Sequence, residues 1–168
     1  MARDRGPAGT NNEGMTITAP APEGTTVAPA LNRLAMIVRD DAYDRVLTPL
    51  VFAYVAACSD VTVDMLFVNW GVHVVMQGEA DHLPMSAGHA ADHRMLLDRV
   101  SHTGLPPAVP DIIRELKATG NVNIYVCSMA AHLFGATPEN LLPEVDGTAG
   151  ATWFLTDVAQ RADQVHCY

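Results

Sequence analysis

One thiol in this chain stands where its residue neighbours favour chemistry. Cys127 closes the apolar run Val122–Cys127, and Ser128–Met129–Ala130–Ala131 follow it. The run reads as a buried strand, and the small residues after it as the first turn of a helix. A cysteine at such a junction faces free backbone N–H groups and the positive end of a helix dipole, and both favour a thiolate. A thiolate attacks a disulfide or persulfide sulfur, or carries a sulfane sulfur itself. The other reading is a cysteine that packs like a small hydrophobe. Position alone leaves both open. His132, five residues on, is either a proton partner for the thiol or a side chain in solvent.

The remaining cysteines are Cys58, at the end of an amphipathic run, and Cys167, beside His166. Packing explains the first and a terminal strand the second. His82, His89 and His93 share an irregular stretch with Asp81, and His89 and His93 have the i, i+4 spacing that sets two imidazoles on one helix face. A metal site built from these three is an alternative to surface histidines, although the glutamate of an HExxH motif is missing. No GxGxxG, Walker loop or GxSxG elbow is present, and no cofactor is expected. Met76, Met85, Met95 and Met129 read as core or interface filler.

Ten Lys and Arg against nineteen Asp and Glu give a net charge of −9. Such an acidic chain repels phosphate backbones and anionic lipid, so neither nucleic acid nor membrane is expected as a partner. Three widely spaced cysteines form no disulfide framework, and a reducing cytoplasm fits them best. Pro49, Asp64, Asn69 and His73 break the longest apolar stretches well short of the ~20 residues of a membrane span. No apolar signal core opens the chain.

The elements that must position these residues alternate along the chain. Residues 1–30, rich in Gly, Pro, Ala and Thr, read as a disordered tail, and 31–168 as the folded domain. Leu34–Val38, Val61–Trp70, Val122–Cys127 and a last short run, Gln164–Tyr168, read as strands. Helices are expected over Asp44–Cys58, capped by Asp40 or Asp41, over Ala90–Val100, over Asp111–Gly120 and over Gly150–Arg161, with shorter ones starting after Gly71 and at Thr137. Strand–helix alternation implies a parallel sheet with helices on both faces. Sites in such sheets form beyond the carboxyl ends of the strands. That geometry gathers Asp40, Asp41, Asn69, Trp70 and Cys127. Apolar excess around Val72–Met76 and Leu105–Val109 points to a buried subunit interface.

These residues also carry a resemblance. Cys127, Ser128–Met129, Gly135, Leu142–Pro143–Glu144–Val145 and Gly147–Gly150 resemble the DsrE/DsrF-like family of sulfur-relay proteins, nearest its peroxiredoxin-like branch. Phe67, Trp70 and Gly71 are similar to that branch's aromatic-Trp-Gly segment, and the likeness runs from about Leu34 to Tyr168. It implies an α/β fold, a three-layer sandwich around a mostly parallel five-stranded sheet. It implies assembly into trimers or hexamers, and a small protein as sulfur donor or acceptor. It implies that Cys127 takes sulfur as a persulfide, with Gly71, Ser128 and Met129 joining its site. A non-catalytic binding module of the same fold is the alternative function.

Overall fold

The apolar runs become the strands of one parallel sheet. The structure, a computed structural model, describes residues 30–168; the tail expected over residues 1–30 lies, Ala30 apart, outside the described residues. The strands are β1 (Arg33–Val38), β2 (Thr62–Phe67), β3 (Val122–Cys127), β4 (Gly147–Ala149) and β5 (Gln164–Cys167). Their order is β4-β3-β2-β1-β5, and every neighbouring pair is parallel.

Five helices connect them: α1 (Tyr43–Cys58), α2 (His93–Ser101), α3 (Val109–Ala118), α4 (Ser128–Phe134) and α5 (Ala151–Trp153). The first four strands are laid down in one direction, and the chain then crosses back to set β5 beside β1. Right-handed crossovers therefore put α5 on the face opposite α1 and α3.

Register separates the two faces. Leu34, Met36 and Val38 align with Val63, Met65 and Phe67, and these with Val122, Ile124 and Val126. All nine are buried, beneath α1 and α3. The opposite face carries Ala35, Leu66, Tyr125 and Cys127, and the π-helical continuation of α5, Phe154–Val158, buries Phe154 and Val158. Trp153 meets Tyr125 edge-on at 5.1 Å.

Asp64 sits on that second face in the middle of β2, 1% exposed. Arg33 Nε reaches one carboxylate oxygen at 2.7 Å, and Asn123 Nδ2 donates to the other at 2.9 Å. Alternation places all three on one face, so the charge is paired in spite of its depth. Removing one partner of such a pair costs about 3–5 kcal/mol.

Several expected boundaries moved. β2 ends at Phe67 rather than Trp70, because Asn69 takes a left-handed φ of 51° that no strand continues. The helix expected over Ala90–Val100 begins only at His93, after a 3-10 turn at Ala90–Asp92. No helix forms at Thr137; the Asn140 side chain instead accepts from Thr137 N–H at 2.7 Å and donates to Gly135 O, closing a turn. The Gly-rich run at 147–150 holds the short strand β4. Of the apolar excess read as a subunit interface, Val72, Val74, Val75, Met76 and Val109 join the core, whereas Pro107 and Ala108 are exposed.

Candidate functional site

The carboxyl edge of the sheet is laced together by backbone. Val68 N–H donates to Val38 O at 2.8 Å and Gly71 N–H to Arg39 O at 3.0 Å, so the segment after β2 lies against the end of β1. A Cβ on Gly71 would run into the Val38 carbonyl oxygen and stand 3.0 Å from its carbon. Only glycine permits that approach. Asn69 makes the left-handed turn that precedes it, a conformation asparagine tolerates. Both residues, expected to bind substrate, have a structural reason to be here.

From this turn the 3-10 helix Asn69–Val75 runs with a period of three, which stacks Trp70 and His73 on one side. Trp70 is 54% exposed, and its ring lies 5.6 Å from His73 and 4.8 Å from Phe134 of α4. His73 meets Phe134 at 5.0 Å. Its Nδ1 is 3.0 Å from Asp41 Oδ2. Asp41, Trp70, His73 and Phe134 thus form one contiguous group. Asp40 turns away from it. Its carboxylate accepts from Arg45 Nη1 at 2.7 Å and from the Ala42 amide at 3.2 Å. Partial burial alone pushes that carboxyl up, but the Arg45 and Ala42 hydrogen bonds outweigh it and hold it below its usual range.

Cys127 is, as expected, the last residue of β3, with α4 starting at the next position. Its sulfur is not open to solvent. The residue is 6% exposed, belongs to the core, and caps α4 without a side-chain hydrogen bond to the helix amides. Beside it, Ala149 of β4 pairs in register with Cys127. Ser128, Met129 and His132 face outward instead, with Met129 68% exposed. Met129 and Met95 are therefore not core filler. Cys58, expected to pack, is exposed at the end of α1, as is Cys167 at the end of β5.

The histidines of the irregular stretch do not converge. His89 precedes α2 rather than sharing its face with His93, and its Nδ1 lies 2.8 Å from Asp44 Oδ2. His93 packs against the Tyr43 ring at 5.8 Å, and His82 is exposed. Among the described residues no three His, Cys, Asp or Glu side chains are gathered to hold a metal ion. Asp44 holds a tighter group than any expected from spacing. It accepts from Ser86 N–H at 2.8 Å, from Ser86 Oγ–H at 2.6 Å and from His89. Burial pushes the Asp44 carboxyl up, yet the bonds from Ser86 and His89 outweigh that and hold it well below the ordinary carboxylate range.

Sequence reading missed His73, Phe134 and the Asp44–Ser86–His89 group. The Trp70–His73 spacing of three was visible, but it has meaning only on a 3-10 helix. Asp44 and Ser86 are separated by 42 residues, and no local pattern joins them.

A sequence model of the DsrE/DsrF-like family matches residues 32–165 of this α/β chain. The chain belongs to the DsrE/DsrF-like family. No curated protein matches it. Among solved structures, a conserved protein of unknown function from Bacteroides thetaiotaomicron is 11% identical, with a TM-score of 0.52, covering 82% of this chain and 95% of its own. A protein of unknown function from Methanobacterium thermoautotrophicum is 14% identical, with a TM-score of 0.49, covering 80% and 98%. The first shares the α/β fold of this family member and speaks to nothing beyond the fold. Among the described residues no helix is long and apolar enough to cross a membrane.

Proposed function

We propose that the protein is a sulfur carrier or sulfurtransferase in which Cys127 receives sulfane sulfur from a small donor protein and passes it on. The observation that carries this reading is the placement of Cys127 at the β3–α4 junction of a DsrE/DsrF-like chain, at the carboxyl edge of a parallel sheet. In the first half-reaction the Cys127 sulfur attacks the outer sulfur of a donor persulfide. The donor S–S bond breaks, a new S–S bond forms on Cys127, and the thiol proton passes to the departing donor sulfur. Transfer to an acceptor thiol reverses these roles. Three cysteines free of disulfides suit the reducing cytoplasm this chemistry needs.

Because Cys127 is buried, sulfur reaches it only when the β3–α4 junction opens or a partner displaces β4. Challenge with a low-mass persulfide donor tests the reading by intact mass. Wild type, Cys58→Ser and Cys167→Ser gain one sulfur atom on Cys127, and Cys127→Ser gains none there. Equal gain at the remaining cysteines of Cys127→Ser, with no Cys127 adduct in wild type, overturns it.

The same burial favours a second reading, a binding module without covalent chemistry. There the exposed Trp70, backed by His73 and Phe134, is the platform for a small ligand or partner peptide. A Cys127 that resists the donor, in a protein whose Trp70 emission responds to a partner, selects this reading.

A further inference from the structure

A cavity of about 500 Å³ lies between the start of α1, the loop before α2, α2 itself and the start of α3. Neither Cys127 nor any residue of α4 lines it. Its floor is apolar and buried: Tyr43, Ala80, Leu83 and Val109 are each 5% exposed or less. Two hydrogen bonds fix that floor. Tyr43 N–H donates to Pro84 O at 2.7 Å and the Tyr43 hydroxyl to Pro107 O at 2.8 Å, tying α1 to the loops ahead of α2 and α3. The His93 ring, 5.8 Å from that of Tyr43, forms one wall. The volume and the fixed apolar floor are those of a preformed small-molecule site.

The rim is charged. Arg94, Leu97, Asp98 and Ser101 follow one another at helical spacing, so one face of α2 borders the cavity. Asp81 joins them from the preceding loop. Elsewhere Arg33, Arg45, Lys117 and Arg161 each reach a carboxylate. Among the described residues, the side chains of Arg94, Asp81 and Asp98 form no ion pair. Arg94 and Asp98 stand in the less favourable order for a pair one turn apart, with the cation nearer the helix N-terminus. One guanidinium and two carboxylates at the mouth of the cavity are thus left to a ligand.

We propose that this cavity binds a small zwitterion, an ammonium and a carboxylate on an apolar body, which is the chemistry of a free apolar amino acid. Charge commits it to that occupant. The planar guanidinium of Arg94 offers a forked set of donors to a carboxylate. Asp81 and Asp98 offer acceptors to an ammonium, and the floor of Tyr43, Leu83 and Val109 takes the apolar body. A plain carboxylate would meet two like charges at the rim, on a chain of net charge −9. A plain amine would meet the Arg94 guanidinium. Only a ligand with both charges complements all three groups. The site stands whether or not Cys127 carries sulfur, since no residue of the β3–α4 junction takes part.

Isothermal titration calorimetry on the full chain tests it, with L-leucine and L-phenylalanine as probes. Analogues separate the two charges: isoamylamine and phenethylamine lack the carboxylate, and isocaproate and hydrocinnamate lack the ammonium. At least one amino acid should bind with a Kd of about 1 mM or below, and its two analogues about tenfold or more weakly. Arg94→Gln should weaken the amino acid about tenfold, and so should Asp81→Asn combined with Asp98→Asn. All three residues are exposed, so the circular dichroism of both variants should stay that of the wild type. No heat with either amino acid up to about 10 mM overturns the proposal. So does an analogue that binds as tightly as its amino acid, or an affinity that either variant leaves unchanged.

Discussion

Asp41 Oδ2 stands 3.0 Å from His73 Nδ1, and this contact joins the loop after β1 to the 3-10 helix after β2. With Nδ1 held by the carboxylate, the ring is fixed edge-on to Trp70 at 5.6 Å. Asp41→Ala is expected to lower stability by about 1–2 kcal/mol, since it removes a hydrogen bond between half-buried groups. It should also shift Trp70 emission. Asp41→Asn, whose amide oxygen still accepts from Nδ1–H, should recover most of both effects. Urea unfolding followed by tryptophan fluorescence measures them together. An Asp41→Ala protein with unaltered stability and emission would mean that the pair positions nothing.

Gly71 offers a sharper test, because the obstacle to a side chain there is backbone. A methyl group would press on the Val38 carbonyl and separate two segments joined by the Gly71–Arg39 hydrogen bond. Gly71→Ala should cost about 3 kcal/mol, at the upper end of overpacking penalties, because a strand end yields less than a side chain. Gly88→Ala is the control. No atom lies within 4 Å of a Cβ at that position, so it should be neutral or slightly stabilising. If both alanines proved equally mild, the close approach of β1 to this turn would be wrong.

Acid should weaken the hold of the irregular stretch on α1. The Asp44 carboxyl is held below the value of about 3.9 that it has in an unfolded chain. Its stabilising effect is therefore complete above that value, and is lost as pH falls below it toward the lower folded value. Asp40 and Asp163 have lowered values too and act in the same direction. Asp44→Asn should destabilise the protein most at pH 7 and distinctly less at pH 2, flattening the acid limb of a stability–pH curve. Ser86→Ala should reproduce part of the effect, roughly 1 kcal/mol at pH 7. A curve for Asp44→Asn running parallel to wild type down to pH 2 would rule out the role given to these bonds.

What was legible in the sequence follows the range of the forces involved. Val122–Cys127 announces a strand through a run of apolar residues, and Val109–Ala118 a helix through its 3.6-residue period, because burial writes those periods into adjacent residues. The junction at Cys127 was legible for the same reason. Its depth was not, because the burial of one side chain at a sheet edge is set by segments distant in sequence, such as β4, whose Ala149 pairs beside Cys127 from 22 residues away. Asn69 and Gly71 read as site residues because a backbone that needs them looks, from sequence, like a backbone that binds something. The Asp44–Ser86–His89 group left no trace in spacing, since polar contacts between distant segments carry no period.

The depth of Cys127 has a kinetic consequence that bears on the proposed chemistry. Cys58 and Cys167 are exposed, whereas Cys127 is 6% exposed, with β4 paired alongside it. In the native protein two thiols should alkylate promptly and the third at least about tenfold more slowly, its rate set by local opening of the β3–α4 junction. Low denaturant should speed the slow thiol alone, and full unfolding should make all three alike. Thr148→Pro, placed to weaken the pairing of β4 with β3, should bring Cys127 toward the fast pair if β4 is the gate. Peptide mapping after timed iodoacetamide pulses distinguishes the three sites. A Cys127 that labels as fast as Cys167 in the folded chain would place its sulfur in solvent, and would remove the need for a partner to open the site before sulfur is transferred.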